Sequence, residues 1–214
     1  MTGRTRLRRV GRTVGVVGLA AAVGSIALLG TGYTAVAVQG DAMNPTYPQG
    51  ARAFFERIDP VEVGRGDVVL HRMEDGHESR PALRRVIGIG GDHVRQSPGG
   101  PVTVNGEPLS EPYVKDGGPS GTTLAYDVTV PEGRLFLLGD HRANSNDSRF
   151  SLDTRSGSVA ATTVQARALD DHTGLLLLVL TALLGVLGAL AGLVAEIVGR
   201  VGRVSPPPPR HHAL

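Results

Sequence analysis

The stretch Gly40-Asp41-Ala42-Met43-Asn44-Pro45-Thr46 decides how this 214-residue chain is read. It lies a few residues beyond a long apolar run, where a membrane segment would hand over to a folded domain. Upstream, Val14 to Gly30 carry no charge, and the apolar run extends as far as Val38. That is close to the ~20 residues needed to cross a bilayer. Arg4, Arg6, Arg8, Arg9 and Arg12 precede the run and place the N-terminus in the cytoplasm by the positive-inside rule. The competing reading is a cleaved secretory signal, with its small-residue site at Ala35-Val36-Ala37. The length of the apolar stretch favours an uncleaved anchor.

Downstream, Gly174 to Ala195 are almost purely Leu, Val, Ala and Gly, with no charged residue. A buried core helix would be unusually long and uniformly apolar for that pattern, so it reads as a second transmembrane helix. Its Gly and Ala recur at helical spacings that suit helix packing, with the first anchor as the candidate partner. Arg200, Arg203 and Arg210 then fall on the cytoplasmic side. The tail, with Pro206 to Pro209, His211 and His212, reads as disordered. The expected organisation is a basic cytoplasmic N-terminus (1–13), a transmembrane helix (14–36), an extracytoplasmic domain (37–172), a second transmembrane helix (173–198) and a cytoplasmic Pro-rich tail (199–214).

Lys+Arg total 22 against Asp+Glu 20, a near balance, with basic clusters at both termini. No basic patch or stripe is left for nucleic acid, so no nucleic-acid partner is expected. Cysteine is absent, which excludes disulfides and thiolate metal sites. His71, His77 and His93 lack metal-ligand spacing, and no metal site is expected.

The segment between the apolar runs is about 130 residues long, an ordinary domain size. It reads as mainly β. Short apolar or β-branched runs occur at 67–70, 86–89, 102–104, 126–130 and 135–138. Turn signals separate them: Gly99-Gly100, Asn105-Gly106, Gly117-Gly118-Pro119 and Pro131-Glu132-Gly133. Val104-Asn105-Gly106-Glu107 has the form of a type I′ hairpin. The expected fold class is an antiparallel β domain, barrel or sandwich, between two transmembrane α-helices.

Five segments, in order, resemble the type I signal peptidases, the serine/lysine leader peptidases. Gly40, Asp41, Met43, Pro45 and Thr46 match five of the six specified positions of that family's G-D-S-M-x-P-T motif. Arg65 to Leu70 are similar to its G-D-[IV]-V strand. Arg84 to Asp92 are similar to K-R-x-x-G-x-P-G-D, with Gly90 in place of proline. Asn105-Gly106 with Glu111-Pro112-Tyr113 resemble N-G-x-x-x-x-E-P-Y. Val130 to Gly133, followed by Gly139 to Arg149, are similar to V-P-x-G…G-D-N-R-x-N-S-x-D-S-R, the most specific block. His141 replaces the usual asparagine there.

The resemblance implies a signal-peptidase-like fold and cleavage of signal peptides from exported precursors, with no cofactor. In the family a serine attacks the scissile carbonyl. A lysine kept neutral by burial takes its proton, a second serine orients that lysine, and an Asp–Arg pair braces the arrangement. Carried over residue by residue, the nucleophile position is Ala42 and the general-base position is Arg84. A methyl group cannot attack, and a guanidinium stays protonated and cannot accept the proton. The orienting position is Ser145, the bracing pair is Asp147 and Arg149, and Asp140 and Arg142 are in place. The only lysine, Lys115, is expected to be an exposed surface residue. Thr46 is expected to hydrogen-bond backbone in a turn. Asp41, Asp140 and Asp147 are expected in structural ion pairs.

The expectation is therefore a bacterial signal peptidase homologue in the cell membrane that has lost the reacting pair. Its expected partners are exported precursors or signal peptides, the lipid bilayer and an active peptidase. A non-catalytic role in precursor binding or in pilus-type surface-protein assembly is the alternative, with peptide held by strand addition. An engineered serine-to-alanine change would explain Ala42 but leaves Arg84 unexplained, whereas a naturally inactive paralogue explains both. Two membrane segments, and no helix-turn-helix region ahead of Ala42, argue against a repressor-type self-cleaving domain.

Overall fold

The computed structural model describes residues 3–75, 78–115 and 124–201. The Gly117-Gly118-Pro119 turn, His77 and the tail containing Arg203, Pro206 to Pro209, Arg210, His211 and His212 lie outside them. The chain divides into two units, Met1–Thr31 with Asp171–Leu214, and Gly32–Asp170.

The first unit holds two helices, α1 (Gly3–Gly32) and α2 (Thr173–Val201). Within them Arg6–Gly32 and Thr173–Arg200 are long and apolar enough to cross a membrane. Their outward side chains, such as Leu19, Ile26, Leu183 and Leu190, are exposed. The helices approach each other along a seam of small residues. A Cβ on Gly18 would lie 2.6 Å from the Gly185 carbonyl, and one on Gly192 would lie 2.5 Å from the Gly15 Cα. The seam is the small-residue packing that apolar helices use when lipid supplies no hydrophobic drive between them.

α1 begins earlier than the span 14–36 read from sequence and ends at Gly32. The residues assigned to its end, 33–36, belong instead to strand β1 (Tyr33–Ala37). The strand pairs antiparallel with β2 (Arg52–Glu56), Tyr33 opposite Glu56 and Ala37 opposite Arg52. An apolar run alone does not separate a membrane helix from a strand.

The second unit is built on two antiparallel sheets. The larger contains β1, β2, β3 (Val68–Asp75), β4 (Glu78–Ile89), β9 (Arg134–Leu138), β10 (Val159–Ala160) and β11 (Val164–Ala168), in the order β1-β2-β11-β3-β4-β9-β10. The smaller has the order β7-β6-β5-β8, from β5 (His93–Gln96), β6 (Val102–Val104), β7 (Glu107–Pro108) and β8 (Tyr126–Thr129). The five strands expected from sequence are present as β3, β4, β6, β8 and β9. Between β6 and β7, Asn105 (φ 54°) and Gly106 (φ 86°) both adopt the left-handed conformation that a type I′ turn requires.

The inner strands of the larger sheet are buried on both faces, so they read as continuous apolar runs rather than alternating ones. β9 shows the division. Phe136 and Leu138 pack with Ile87, Val94, Val102 and Tyr126, while Leu135 and Leu137 pack with Val69, Val86 and Val164. Leu70 and Leu83 join a further cluster around Met43, Phe55 and Ala166. Residues directly opposite each other in an antiparallel pair share a face, and successive residues alternate. Val69 opposes Arg84, Leu70 opposes Leu83, and His71 opposes Ala82. Arg84 and His71 therefore lie on one face of the sheet, and Leu83 and Arg85 on the other.

Candidate active site

Residues 38–47 leave β1 and turn beneath the sheet. Met43 is 1% exposed and anchors the turn in the apolar cluster. Tyr47 N–H donates to the Met43 carbonyl at 2.8 Å, and the Asn44–Pro45 peptide is cis. Ala42 is half-buried, and its carbonyl accepts a hydrogen bond from His141 N–H at 3.0 Å. This contact joins the segment around Ala42 to the loop that follows β9. Gly139 makes the approach possible, because a Cβ there would sit 2.6 Å from the Ala42 carbonyl and would also collide with Ser145. The fold thus brings Ala42 and Ser145 to one point.

Ion pairs fix that loop. Asp140 is fully buried and binds Arg85 through both oxygens, Nε at 2.9 Å and Nη2 at 2.6 Å. Thr46 Oγ1 donates to the same carboxylate at 2.5 Å, so the Thr46 hydroxyl serves a side chain rather than the backbone expected of it. Arg85 also donates to the Gly66 carbonyl and lies over the Tyr113 ring, 3.8 Å from its centre. Burial presses the Arg85 guanidinium toward neutrality, but Asp140 outweighs it and holds the group above its ordinary value. Arg142 pairs with Glu111, both almost wholly buried, and donates from Nε to the Gly139 carbonyl at 3.0 Å. Asp147 takes Arg149 in a two-point bond at 2.7 and 2.8 Å and also accepts from Gly139 N–H at 3.1 Å. Glu111 and Tyr113 had been matched in sequence without a role. The Glu-Pro-Tyr segment supplies the carboxylate and the ring that hold two of the site's arginines.

Arg84 is 8% exposed. Its guanidinium donates from Nη1 to the Leu83 carbonyl at 2.6 Å, and from Nη2 and Nε to the Asn146 carbonyl at 2.6 and 3.2 Å. These bonds suit a permanent cation. The hydroxyl of Ser145, one residue before Asn146, is buried and has no hydrogen-bond partner among the described residues.

A second group beside Ala42 was not anticipated. His141 Nδ1 lies 2.7 Å from Asp41 Oδ2, and Lys115 Nζ lies 3.5 Å from the same oxygen. Asn44 Nδ2 donates to Asp41 Oδ1 at 2.7 Å. That Asn44 bond, with His141 and Lys115, holds the Asp41 carboxyl below its usual range. Lys115 is therefore a partly covered residue at the site, not the free surface lysine expected. Asp41, Asp140 and Asp147 each sit in an ion pair, as anticipated. His93 is distant in the small sheet and pairs with Asp127. Among the described residues, no three His, Asp or Glu side chains converge to hold a metal ion.

Comparison with known proteins agrees with these motifs. The family model described as "Signal peptidase, peptidase S26" matches residues 7–169. Signal peptidase I of Bacillus licheniformis is 38% identical over 124 residues, which is 54% of this chain and 65% of that protein. Signal peptidase I U of Bacillus subtilis (strain 168) is 30% identical over 128 residues, 56% of this chain and 67% of that protein. The aligned region thus spans about two thirds of these relatives' length. A crystal structure of a signal peptidase I from Enterococcus faecalis V583 covers 50% of this chain and 96% of its own, at 26% identity and a TM-score of 0.39. With the family model covering most of the chain, the chain belongs to the signal peptidase family, peptidase S26.

Proposed function

We propose that this protein is a membrane-anchored signal peptidase homologue that binds the signal-peptide region of exported precursors without cutting it. The observation that carries the reading is the pair of groups at the reacting positions. Ala42 offers no nucleophile, and Arg84 is a buried cation committed to the carbonyls of Leu83 and Asn146. Ser145, which would orient a neutral amine, has none to hold. The frame around them is intact, with Asp140–Arg85, Arg142–Glu111 and Asp147–Arg149 all paired.

Binding needs no nucleophile. β1 is an edge of the larger sheet and leads within five residues to Ala42. An extended peptide can add to such an edge through main-chain hydrogen bonds, with pockets between side chains giving selectivity. The two apolar helices serve as anchors, with the β domain on the extracytoplasmic side and both termini in the cytoplasm. The role that follows is delivery of precursors to an active peptidase, or their assembly at the surface as in pilus-type systems.

A second reading has one specific support. His141 bonded to Asp41 beside Ala42 is a base-and-orienter pair, and a water activated by it could hydrolyse a bound peptide without a serine. The test is to mix the purified full chain in detergent with a signal-peptide-bearing precursor, following binding and product together. Saturable binding without product supports the proposal. Product that disappears in His141→Asn supports the second reading, and no binding at all contradicts both.

A further inference from the structure

On the sheet face that carries His71 and Arg84, opposite Leu83 and Arg85, lies a cavity of about 500 Å³. Strands β3, β4 and β9 form its floor, and the segment from Ser151 to Thr163 forms its wall. That volume is in the range of small-molecule sites.

Among the described residues the lining carries more basic than acidic groups. Arg72, Arg84, Arg134 and Arg155 all border it, and Asp147 is the one carboxylate among the described lining residues. Asp147 is already held by both arms of Arg149. Arg134 is bound to neutral oxygens, Nε to Ser158 Oγ at 2.8 Å and Nη2 to the Ser158 carbonyl. Burial first, and then the nearby Arg155, push the Arg134 guanidinium below its ordinary value.

The floor adds an independent observation. His71 is 3% exposed, and neither ring nitrogen has a hydrogen-bond partner among the described residues. Buried polar side chains are almost always satisfied, and a well-buried exception lining a cavity marks a place for something to bind. Among the described residues no carboxylate is bonded to Arg134 or Arg155, and an anion would supply that charge. A phosphate group carries up to two negative charges on several acceptor oxygens, and guanidinium groups match it in two-point contacts.

We propose that this cavity binds a phosphate group, seated between Arg134 and Arg155 with His71 as a donor from the floor. The space beyond the phosphate takes an organic remainder. A soluble phosphomonoester and a phospholipid headgroup share this chemistry. Arg84, Asn146 and Asp147 border both this cavity and the candidate active site, but the phosphate seat at Arg134, Arg155 and His71 uses none of them and does not rest on the precursor-binding reading.

The test uses the full chain in a neutral detergent. Binding is measured by calorimetry with inorganic phosphate, and separately with mixed micelles containing phosphatidic acid, against phosphatidylcholine as control. Saturable binding is expected for at least one phosphate probe. Arg134→Gln/Arg155→Gln should weaken it by about tenfold or more, and Arg155→Gln alone by a smaller factor. Arg155→Gln leaves the Arg134–Ser158 bonds in place, so a loss there is not misfolding. Arg52→Gln, on β2 outside the cavity, should change binding by less than about twofold. Binding of inorganic phosphate without the lipid assigns a soluble ligand, and the reverse assigns a headgroup. No saturable binding of either probe overturns the proposal, as does binding indifferent to Arg155→Gln and Arg134→Gln, or a loss equally large in Arg52→Gln. Precursor binding by Arg155→Gln should match the wild type, which keeps this test separate from that of the proposed function.

Discussion

Arg84 is tied to Asn146 by two hydrogen bonds to one main-chain carbonyl, from Nη2 at 2.6 Å and Nε at 3.2 Å. The relationship explains how a buried cation is tolerated one residue along the chain from Ser145. The carbonyls of Leu83 and Asn146 solvate the guanidinium, so it is not left bare in an apolar interior. It also fixes the chemistry. A group that needs to stay charged to keep these bonds cannot serve as a proton acceptor.

The same guanidinium acts on His71. Burial, and then repulsion from Arg84, lower the His71 pKa to about 4. Its unfolded value is near 6.5. Between those two values the unfolded chain binds a proton that the folded chain does not, so stability falls as pH drops through the window from 6.5 to about 4. The loss reaches about 3 kcal/mol when the window is fully crossed. Thermal unfolding of the full chain at pH 7 and at pH 4.5 should show it, and His71→Gln should reduce the difference. In Arg84→Gln the imidazole should titrate at higher pH by NMR. A His71 that titrates near 6.5 in the wild type contradicts this assignment.

Arg142 and Glu111 form a pair with side chains 2% and 7% exposed. Removing one partner leaves an uncompensated buried charge, which costs about 3–5 kcal/mol. Glu111→Ala should therefore destabilise strongly. Arg142→Leu/Glu111→Leu, which removes both charges, should cost much less than the sum of the single changes. A double-mutant cycle on unfolding temperature measures the coupling, and additive single effects would contradict it.

Gly139 has no room for a Cβ beside the Ala42 carbonyl and Ser145. Gly139→Ala should force these segments apart and destabilise the domain by about 1–3 kcal/mol, the usual cost of overpacking. Tm is the readout. An unchanged Tm would mean the two segments are not held together as described.

The Asn105-Gly106 turn and the apolar runs of β6, β8 and β9 were legible because local chemistry decides them: Asn-Gly supplies two positive φ angles, and Leu135–Leu138 is apolar without interruption. β1 was not legible, since Tyr33–Ala37 continues the apolar run of α1 and only its pairing with Arg52–Glu56 distinguishes it. The choice of Ala42, Arg84 and Ser145 as site positions followed from motif order. Which face of the sheet Arg84 takes did not, because β4 carries a register shift between Val86 and Gly88 and neighbouring residues alternate faces. The His141–Asp41 contact joins residues 100 apart in the chain, and the charge of Lys115 finds its partner only once the loops meet. Long-range side-chain pairing of this kind leaves no local pattern.

The central claim is that the scaffold persists while the reacting pair is gone. Cleavage of a signal-peptide-bearing precursor by the purified wild type, beside Ala42→Ser, Arg84→Lys and Ala42→Ser/Arg84→Lys, tests it most directly. The wild type and both single variants should give no product: Ala42→Ser retains a base that cannot accept a proton, and Arg84→Lys retains a methyl group for a nucleophile. The double variant should cleave, with Ser145 supplying the hydroxyl that orients the new amine. Turnover by the wild type at or above the rate of the double variant would contradict the account and locate the chemistry in groups other than Ala42 and Arg84.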